Sequence, residues 1–154
     1  MIKLKAVIQR VKYASVTVED KIIGTINNGL LVLLGVTHKD TEKEANWLAN
    51  KIISLRIFQD ENDKMNLGLE DVKGELLVIS QFTLYGDCIK GRRPGFTDAA
   101  PPSIAVPLYE KFLEICKNSG IKTEAGIFGA DMKVELLNNG PVTLVIDTKD
   151  VKKL

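Results

Sequence analysis

Two stretches of the chain each read Asn-Asn-Gly followed by apolar residues: NNGLLVLL spans residues 27–34 and NNGPVTLVI spans residues 138–146. Because Asn and Gly tolerate the positive φ angles of tight turns, both stretches predict a hairpin turn that leads into a strand. Only the second has a proline, Pro141, directly after its glycine. Proline cannot donate to a sheet ladder, so Pro141 either starts an edge strand or has a separate purpose.

The remaining segments predict further strands and two helices. Thr41-Glu42-Lys43-Glu44 fits a capping box, and apolar residues at helical spacing follow it, which predicts a helix over 41–56. Ser103 is expected to cap a second helix, with Pro107 in its first turn and Gly120 after its end. The remaining expectations are strands over 4–18, 122–128, 132–137 and 141–147 and a long loop over 88–102. Together they predict the α+β class: a single domain over 1–154 with a curved, mainly antiparallel sheet and two helices.

Length and charge restrict the kinds of function that are open to the chain. Its 154 residues suffice for one core without disulfide or metal. The formal net charge is only +1, so any nucleic-acid contact must be local, at Lys90–Arg93 or at Arg10 with Lys12, although solvated surface is the commoner meaning of such clusters. No signal peptide and no long apolar segment is found, which predicts a cytoplasmic protein without membrane contact.

Few side chains could bind a metal. The chain has one histidine, His38, and two cysteines, Cys88 and Cys116, with no CxxC pair. Zinc sites need three or four such ligands, so we expect no metal and no cofactor. Both thiols are expected to be buried or partly buried.

The segment SQFTL, residues 80–84, ends an apolar run with hydroxyls, an amide and free backbone N–H groups. Such donors could form an oxyanion hole for acyl transfer, or they could merely complete a strand end. A serine or threonine nucleophile needs a base, and His38 lies in a polar turn without a GxSxG elbow. The sequence therefore contains no obvious general base.

SQFTL together with NNGPVT at 138–143 strongly resembles the two signature motifs of the D-aminoacyl-tRNA deacylases. Supporting segments match in order: AVIQRV and ASVTV near the start, GLLVLLGV at 29–36, RIFQDENDKMN at 56–66, RPGFTDAAPP at 93–102 and GIFGADM at 126–132. The resemblance implies a compact α+β fold with a barrel-like sheet, which forms homodimers with active sites at the subunit interface. It also implies hydrolysis of the ester between a D-amino acid, or mischarged glycine, and the 3′ end of tRNA.

The resemblance further implies roles for individual residues. Gly140 and Pro141 would form a Gly-cis-Pro element that reaches into the partner's pocket and sterically excludes L side chains. Backbone N–H groups around Gln81 and Phe82 would stabilise the oxyanion, with Ser80 shaping the turn, while the 2′-hydroxyl of the terminal adenosine assists the attack. Thr83 would be a positioning or structural hydroxyl. Phe128 and Met132 are plausible walls for the adenosine or acyl group.

The sequence leaves two other functions open. One is a module that binds RNA ends or metabolites without catalysis, against which the intact SQFTL and GPVT motifs argue. The other is a conventional serine esterase that uses Ser80 and His38. Loss of turnover on replacing His38 would favour the esterase.

Overall fold

A long strand, β1 (Lys5–Val18), organises the sheet in the computed structural model, which describes residues 3–154. One edge of β1 pairs antiparallel with β8 (Lys133–Asp147). The other edge pairs antiparallel first with β3 (Gly29–Gly35) and, nearer the carboxyl end of β1, with β2 (Lys21–Ile26). The buried side chains of β1 alternate over its first half, as expected for a strand with one face in the core.

The first Asn-Asn-Gly segment is not a hairpin turn, so that prediction was wrong. β2 and β3 do not pair with each other; they lie one after the other along the same edge of β1, and the segment is the break between them. Gly29 is required by close packing, since a Cβ atom there would lie 2.7 Å from the Glu75 backbone nitrogen. The Asn-Asn-Gly composition therefore indicates correctly that the strands are interrupted here, but it predicts the wrong geometry for the interruption.

The second Asn-Asn-Gly segment is not a hairpin turn either, and the two strands predicted around it are one strand, β8. Asn138 pairs with Val11 and Thr143 pairs with Gln9, so residues 139–142 bulge out opposite the single residue Arg10. A bulge of this kind inserts residues without ending the pairing. The Gly140–Pro141 peptide bond within it is cis, as the resemblance implied.

Two parallel strands extend the sheet beyond β3, in the order β2-β1-β3-β6-β7. β6 (Glu75–Ser80) pairs with β3, and β7 (Thr123–Ala125) pairs with β6. β2 returns close to β7, because a Cβ atom on Gly24 would lie 3.1 Å from the carbonyl oxygen of Ala125. The sheet is therefore nearly closed and barrel-like, and its antiparallel pairs predominate, which confirms the predicted fold class.

The two predicted helices are present, with bounds that differ by a few residues from the prediction. α1 (Glu42–Ser54) begins after Thr41, whose capping box with Glu44 is complete. α3 (Pro102–Asn118) begins one residue before Ser103, with Pro101 as its N-cap, so Pro107 lies in the second turn. Its ring there removes one hydrogen bond from a helix whose buried face holds it in place.

A third, one-turn helix was missed within the polar segment before β6. α2 (Leu69–Val72) follows a two-stranded hairpin of β4 (Phe58–Gln59) and β5 (Met65–Leu67). Two 3₁₀ turns complete the chain, at Phe82–Tyr85 and Thr148–Asp150. Within residues 3–154, no helix is long and apolar enough to cross a membrane.

Candidate functional site

A cavity of about 240 Å³ opens where β3 and β6 end. Its floor is apolar and comes from the sheet and from α3, while one rim comes from the turn after β6 and the opposite rim from the segment that precedes β8. The lining residues are Leu34, Val36, Ile79, Ser80, Gln81, Phe82, Ala100, Ala105, Tyr109, Phe128, Gly129, Ala130, Asp131, Met132 and Val134. Concave, mainly apolar sites with a few polar groups are typical binding sites for small molecules.

The cavity brings together five of the eight site residues expected from the sequence. Those that line it are Ser80, Gln81, Phe82, Phe128 and Met132. Thr83 follows directly in the 3₁₀ turn but is not among the lining residues. Gly140 and Pro141 lie on the bulge of β8 and do not line the cavity of their own chain.

The turn after β6 presents backbone donors to the cavity rim. The Gln81 N–H donates to the carbonyl oxygen of Leu34 at 2.8 Å, which prolongs the pairing of β3 with β6. Phe82 and Thr83 occupy the first positions of the 3₁₀ turn, where N–H groups lack an acceptor within the helix. The backbone N–H of Gln81 is therefore already hydrogen-bonded. This leaves the N–H groups of Phe82 and Thr83 as the expected donors to an oxyanion.

The side chains around this turn do not form a nucleophile–base pair. The Gln81 amide donates to the Thr83 hydroxyl at 2.5 Å, so Thr83 is held within its own turn. The His38 imidazole contacts the Thr97 carbonyl oxygen at 2.7 Å. Among the described residues, no hydrogen bond joins His38 to Ser80, and none is recorded between Thr83 and an acid or base.

An aromatic wall from α3 was missed from the sequence. Tyr109 is buried, lies 6.0 Å from Phe128 between ring centroids, and donates its hydroxyl to the Val78 carbonyl oxygen at 2.8 Å. Burial raises the pKa of Tyr109 to about 12, so the hydroxyl stays protonated at neutral pH. The only signal for Tyr109 in the sequence is its helical spacing of four from Ala105, which places both residues on the same side of α3.

The bulge of β8 is held by two side chains that bind its backbone. The Asn138 amide accepts from the Val142 N–H at 2.8 Å and donates to the Val142 carbonyl oxygen at 3.2 Å and the Thr143 hydroxyl at 3.1 Å. The Arg10 guanidinium donates to the Asn139 carbonyl oxygen at 2.9 Å and to the Ile57 carbonyl oxygen at 2.6 Å. The bulge is therefore fixed from both sides.

Arg10 corrects an expectation from the sequence, which grouped it with Lys12 as a surface patch. Only 2% of Arg10 is exposed. It shares the buried side of β1 with Ala6 and Ile8, and charged hydrogen bonds to carbonyl oxygens offset the cost of burial. Gly140 packs against it, since a Cβ atom there would lie 3.1 Å from Nη2, and its φ of +143° also favours glycine.

Apolar side chains flank the bulge on the outer face of the sheet. Tyr13 and Leu137 form a cross-strand pair, and they are 42% and 46% exposed. Val145, on the other side of the bulge, is 67% exposed. Exposed apolar groups around a fixed projection are typical of an association surface.

The two cysteines differ in their burial, and the acidic residues Asp40 and Glu44 differ in the direction of their pKa shifts. Cys116 is buried as expected, and burial raises its pKa to about 12, whereas Cys88 is exposed, which corrects the expectation for that thiol. Burial raises the pKa of Asp40 to about 6 although it accepts from two backbone amides. Burial also acts on Glu44, but Lys3 and Thr41 outweigh it and lower its pKa to about 2. Within residues 3–154, no cluster of three or more potential ligands could hold a metal ion.

A family model and two curated relatives that match this chain all have deacylase names. A family described as D-Tyr-tRNA(Tyr) deacylase matches residues 7–147. A D-aminoacyl-tRNA deacylase of Fusobacterium nucleatum is 65% identical over 147 residues, which cover 96% of this chain and 97% of that protein. The enzyme of the same name from Thermosipho africanus is 61% identical over 148 residues, which cover 96% and 99%.

Two solved structures share the architecture. One, named c-Myc DNA Unwinding Element Binding Protein, aligns with a TM-score of 0.85 and 41% identity over 92% of this chain and 97% of that chain. The other, described as a probable eukaryotic D-amino acid tRNA deacylase, aligns with a TM-score of 0.82 over 94% and 98%. At 17% identity, the second shows a common fold only.

Proposed function

The chain belongs to the D-Tyr-tRNA(Tyr) deacylase family, and on that premise we propose that it hydrolyses the ester between a D-amino acid and the 3′ end of tRNA. The observation that carries the proposal is the convergence of Ser80, Gln81 and Phe82 with Phe128 and Met132 on one cavity. We expect mischarged Gly-tRNA to be a second substrate. Because the substrate is an aminoacyl-tRNA, we expect the reaction to occur in the cytoplasm, without metal or cofactor.

The cavity would hold the terminal adenosine and present the ester to the turn after β6. Phe128 and Met132 supply apolar and aromatic surface against which a base can stack. Tyr109 supports Phe128 from the α3 side. Recognition limited to the 3′ end agrees with a net charge of only +1, because no large basic face is needed.

In the proposed reaction, water adds to the ester carbonyl carbon, the carbonyl oxygen becomes an oxyanion, and the ester C–O bond then breaks. The N–H groups of Phe82 and Thr83 would donate to the oxyanion, which is the charge that develops in the transition state. The vicinal 2′-hydroxyl of the adenosine would assist the attack and the transfer of the proton to the departing 3′ oxygen. The free amino acid and tRNA with a 3′-hydroxyl are released.

Chiral selection would come from the bulge of a second copy of the chain. Gly140 and Pro141 are exposed, are fixed by Arg10 and Asn138, and project from a surface with apolar flanks. Seated at the partner's cavity, their backbone would occupy the space of an L side chain. A D side chain would point elsewhere and glycine would have none, so both would be accepted.

The first test is the rate of ester loss from D-Tyr-tRNA with chelator-treated protein. We expect turnover that persists in His38→Ala and Ser80→Ala, because neither side chain acts as base or nucleophile in the proposed reaction. Turnover that is lost in both variants while the folded spectrum is retained would favour a serine esterase. A substrate that ends in 2′-deoxyadenosine should react much more slowly than its ribose counterpart; equal rates would contradict assistance by the 2′-hydroxyl.

Mixing two variants tests whether the bulge acts on the partner. Ala130→Trp blocks the cavity of its own chain, and Asn138→Ala loosens the bulge of its own chain. A large excess of the first should pair with nearly all of the second, which restores intact bulges to the working cavities and raises the D/L selectivity. Selectivity that does not change on mixing, although the chains exchange, would place the bulge and cavity of each site on the same chain.

A further inference from the structure

A hairpin-like loop of exposed residues carries a cluster of cations that the proposed reaction does not use. Asp87 and Gly95 pair in both directions, with N···O distances of 2.7 and 2.9 Å, and they close a segment that we call the basic hairpin (residues 87–95). The Asp87 carboxylate also accepts from the Ile89 N–H at 3.0 Å, which orders the first half of the segment. The basic hairpin therefore has a defined base from which its side chains project.

The base of the basic hairpin is attached to the rim of the cavity. The Phe96 ring meets the Phe82 ring edge to face, with 5.3 Å between centroids, and Phe82 lines the cavity. Arg93 lies three residues before Phe96, so the two Cα atoms can be at most about 11 Å apart. A guanidinium there can reach groups just outside the cavity mouth.

The cations of the basic hairpin are Lys90, Arg92 and Arg93, and all three are exposed. None of them takes part in an ion pair recorded within residues 3–154. The segment contains one acidic residue, Asp87, at its base. In a chain of net charge +1, this is a local concentration of positive charge next to the candidate site.

We propose that the basic hairpin binds the backbone phosphates of the nucleotides that precede the terminal adenosine of the tRNA. The proposal rests on the function proposed above, because a nucleotide in the cavity directs the preceding phosphates to its mouth. Arginine guanidinium groups match phosphate oxygens in charge and in bidentate geometry. Contacts to phosphates carry no sequence information, so this surface strengthens binding to every tRNA alike.

The double variant Arg92→Ala/Arg93→Ala tests the proposal, with Lys152→Ala/Lys153→Ala as the matched control. The control removes the same charge from exposed residues of the carboxyl-terminal tail. For each protein, kcat/KM is measured on D-Tyr-tRNA at several KCl concentrations and on 3′-O-D-tyrosyl-adenosine, which lacks the phosphates. Two phosphate contacts contribute about 1.4 to 1.8 to the slope of log(kcat/KM) against log[KCl].

We expect Arg92→Ala/Arg93→Ala to flatten the slope by that amount. Between about 50 and about 200 mM KCl, wild-type kcat/KM should fall about 7- to 12-fold more than that of the variant. Arg92→Lys/Arg93→Lys should keep most of the slope, and the tail control should keep all of it.

Two results would overturn the proposal. One is an unchanged salt slope on tRNA in the Arg92→Ala/Arg93→Ala variant. The other is an equal loss on tRNA and on tyrosyl-adenosine, which would mean that the segment acts by positioning Phe82. Failure of the proposed function is distinguishable, because wild-type protein would then cleave neither substrate.

Discussion

Replacing Asn138 by alanine should reduce the ability of the protein to distinguish D from L esters. The side chain makes three hydrogen bonds across the bulge, at 2.8, 3.2 and 3.1 Å, and alanine removes all of them. A neutral hydrogen bond contributes about 0.5–1.5 kcal/mol net, and because Asn138 is only half-buried we take about 2–3 kcal/mol for the set. That free energy no longer holds Gly140 and Pro141 in position.

The assay is kcat/KM on D-Tyr-tRNA and on L-Tyr-tRNA, for wild type and variant. At about 1.4 kcal/mol for each factor of ten, the D/L ratio should fall by about 30- to 150-fold, mainly because the L ester begins to react. Asn139→Ala is the matched control, since within residues 3–154 the Asn139 side chain makes no hydrogen bond, while the Asn139 backbone oxygen still accepts from Arg10. An unchanged D/L ratio in folded Asn138→Ala, or an equal fall in Asn139→Ala, would refute the reasoning.

Four further predictions concern the cavity and the fold. Ala130→Trp should fill the cavity and raise KM for D-Tyr-tRNA at least tenfold, or about 1.4 kcal/mol, whereas Ile127→Trp places the same indole ring outside the lining residues and should not; equal effects would contradict the assignment. The urea midpoint should rise between pH 2 and about 4.5, in part because Glu44 has a lowered pKa of about 2 and stabilises the folded state when ionised; Glu44→Gln should make that rise smaller, and an unchanged rise would contradict this role. Asp40 has a pKa raised to about 6 by burial, so it favours the folded state when it is protonated. Its contribution to stability should therefore decline from pH 4 to 6. An increase of the urea midpoint over this range owing to Asp40 would contradict the burial argument. Tyr85→Phe removes a hydroxyl whose single proton is shared between two backbone carbonyl oxygens, at 2.6 and 3.0 Å, and should lower the unfolding free energy by about 1–3 kcal/mol in a urea titration.

Features determined by local chemistry were predictable from the sequence. The capping box at Thr41 and the apolar spacing after it located α1 to within two residues at its carboxyl end. The apolar run that ends at Ser80 coincides with β6. In both cases the information lies within a few residues of the feature, which is the range over which caps and periodicity act.

Features determined by pairing across the sheet were not predictable in the same way. The Asn-Asn-Gly segments at Asn27 and Asn138 have the composition of hairpin turns, yet each is an interruption along an edge of β1. Which edge a segment joins depends on residues outside the local sequence, and for Asn138 the pairing partner, Val11, lies more than a hundred positions earlier in the chain. The parallel pairing of β6 with β3 is likewise a contact between segments that are distant in the sequence.

The motifs of the candidate site could be predicted from the sequence, whereas the contacts that hold those motifs in place could not. Ser80, Gln81 and Phe82, which the resemblance assigned to the site, line one cavity with Phe128 and Met132. The resemblance did not show that the backbone N–H of Gln81 donates to the carbonyl oxygen of Leu34, because that hydrogen bond follows from the register of β3 and β6. Arg10 was expected at the surface because its side chain is charged. The alternation of buried and half-buried residues along β1 places it on the buried side of that strand.

The measurement that tests the account most directly is a time course of ester loss from D-Tyr-tRNA, L-Tyr-tRNA and Gly-tRNA with the same chelator-treated protein. We predict rapid loss of the D ester, loss of the glycyl ester, and an L ester that decays no faster than without protein. Equal hydrolysis of the D and L esters would contradict the steric filter of Gly140 and Pro141. No hydrolysis of any ester would contradict the proposed activity itself and leave a binding function for the cavity.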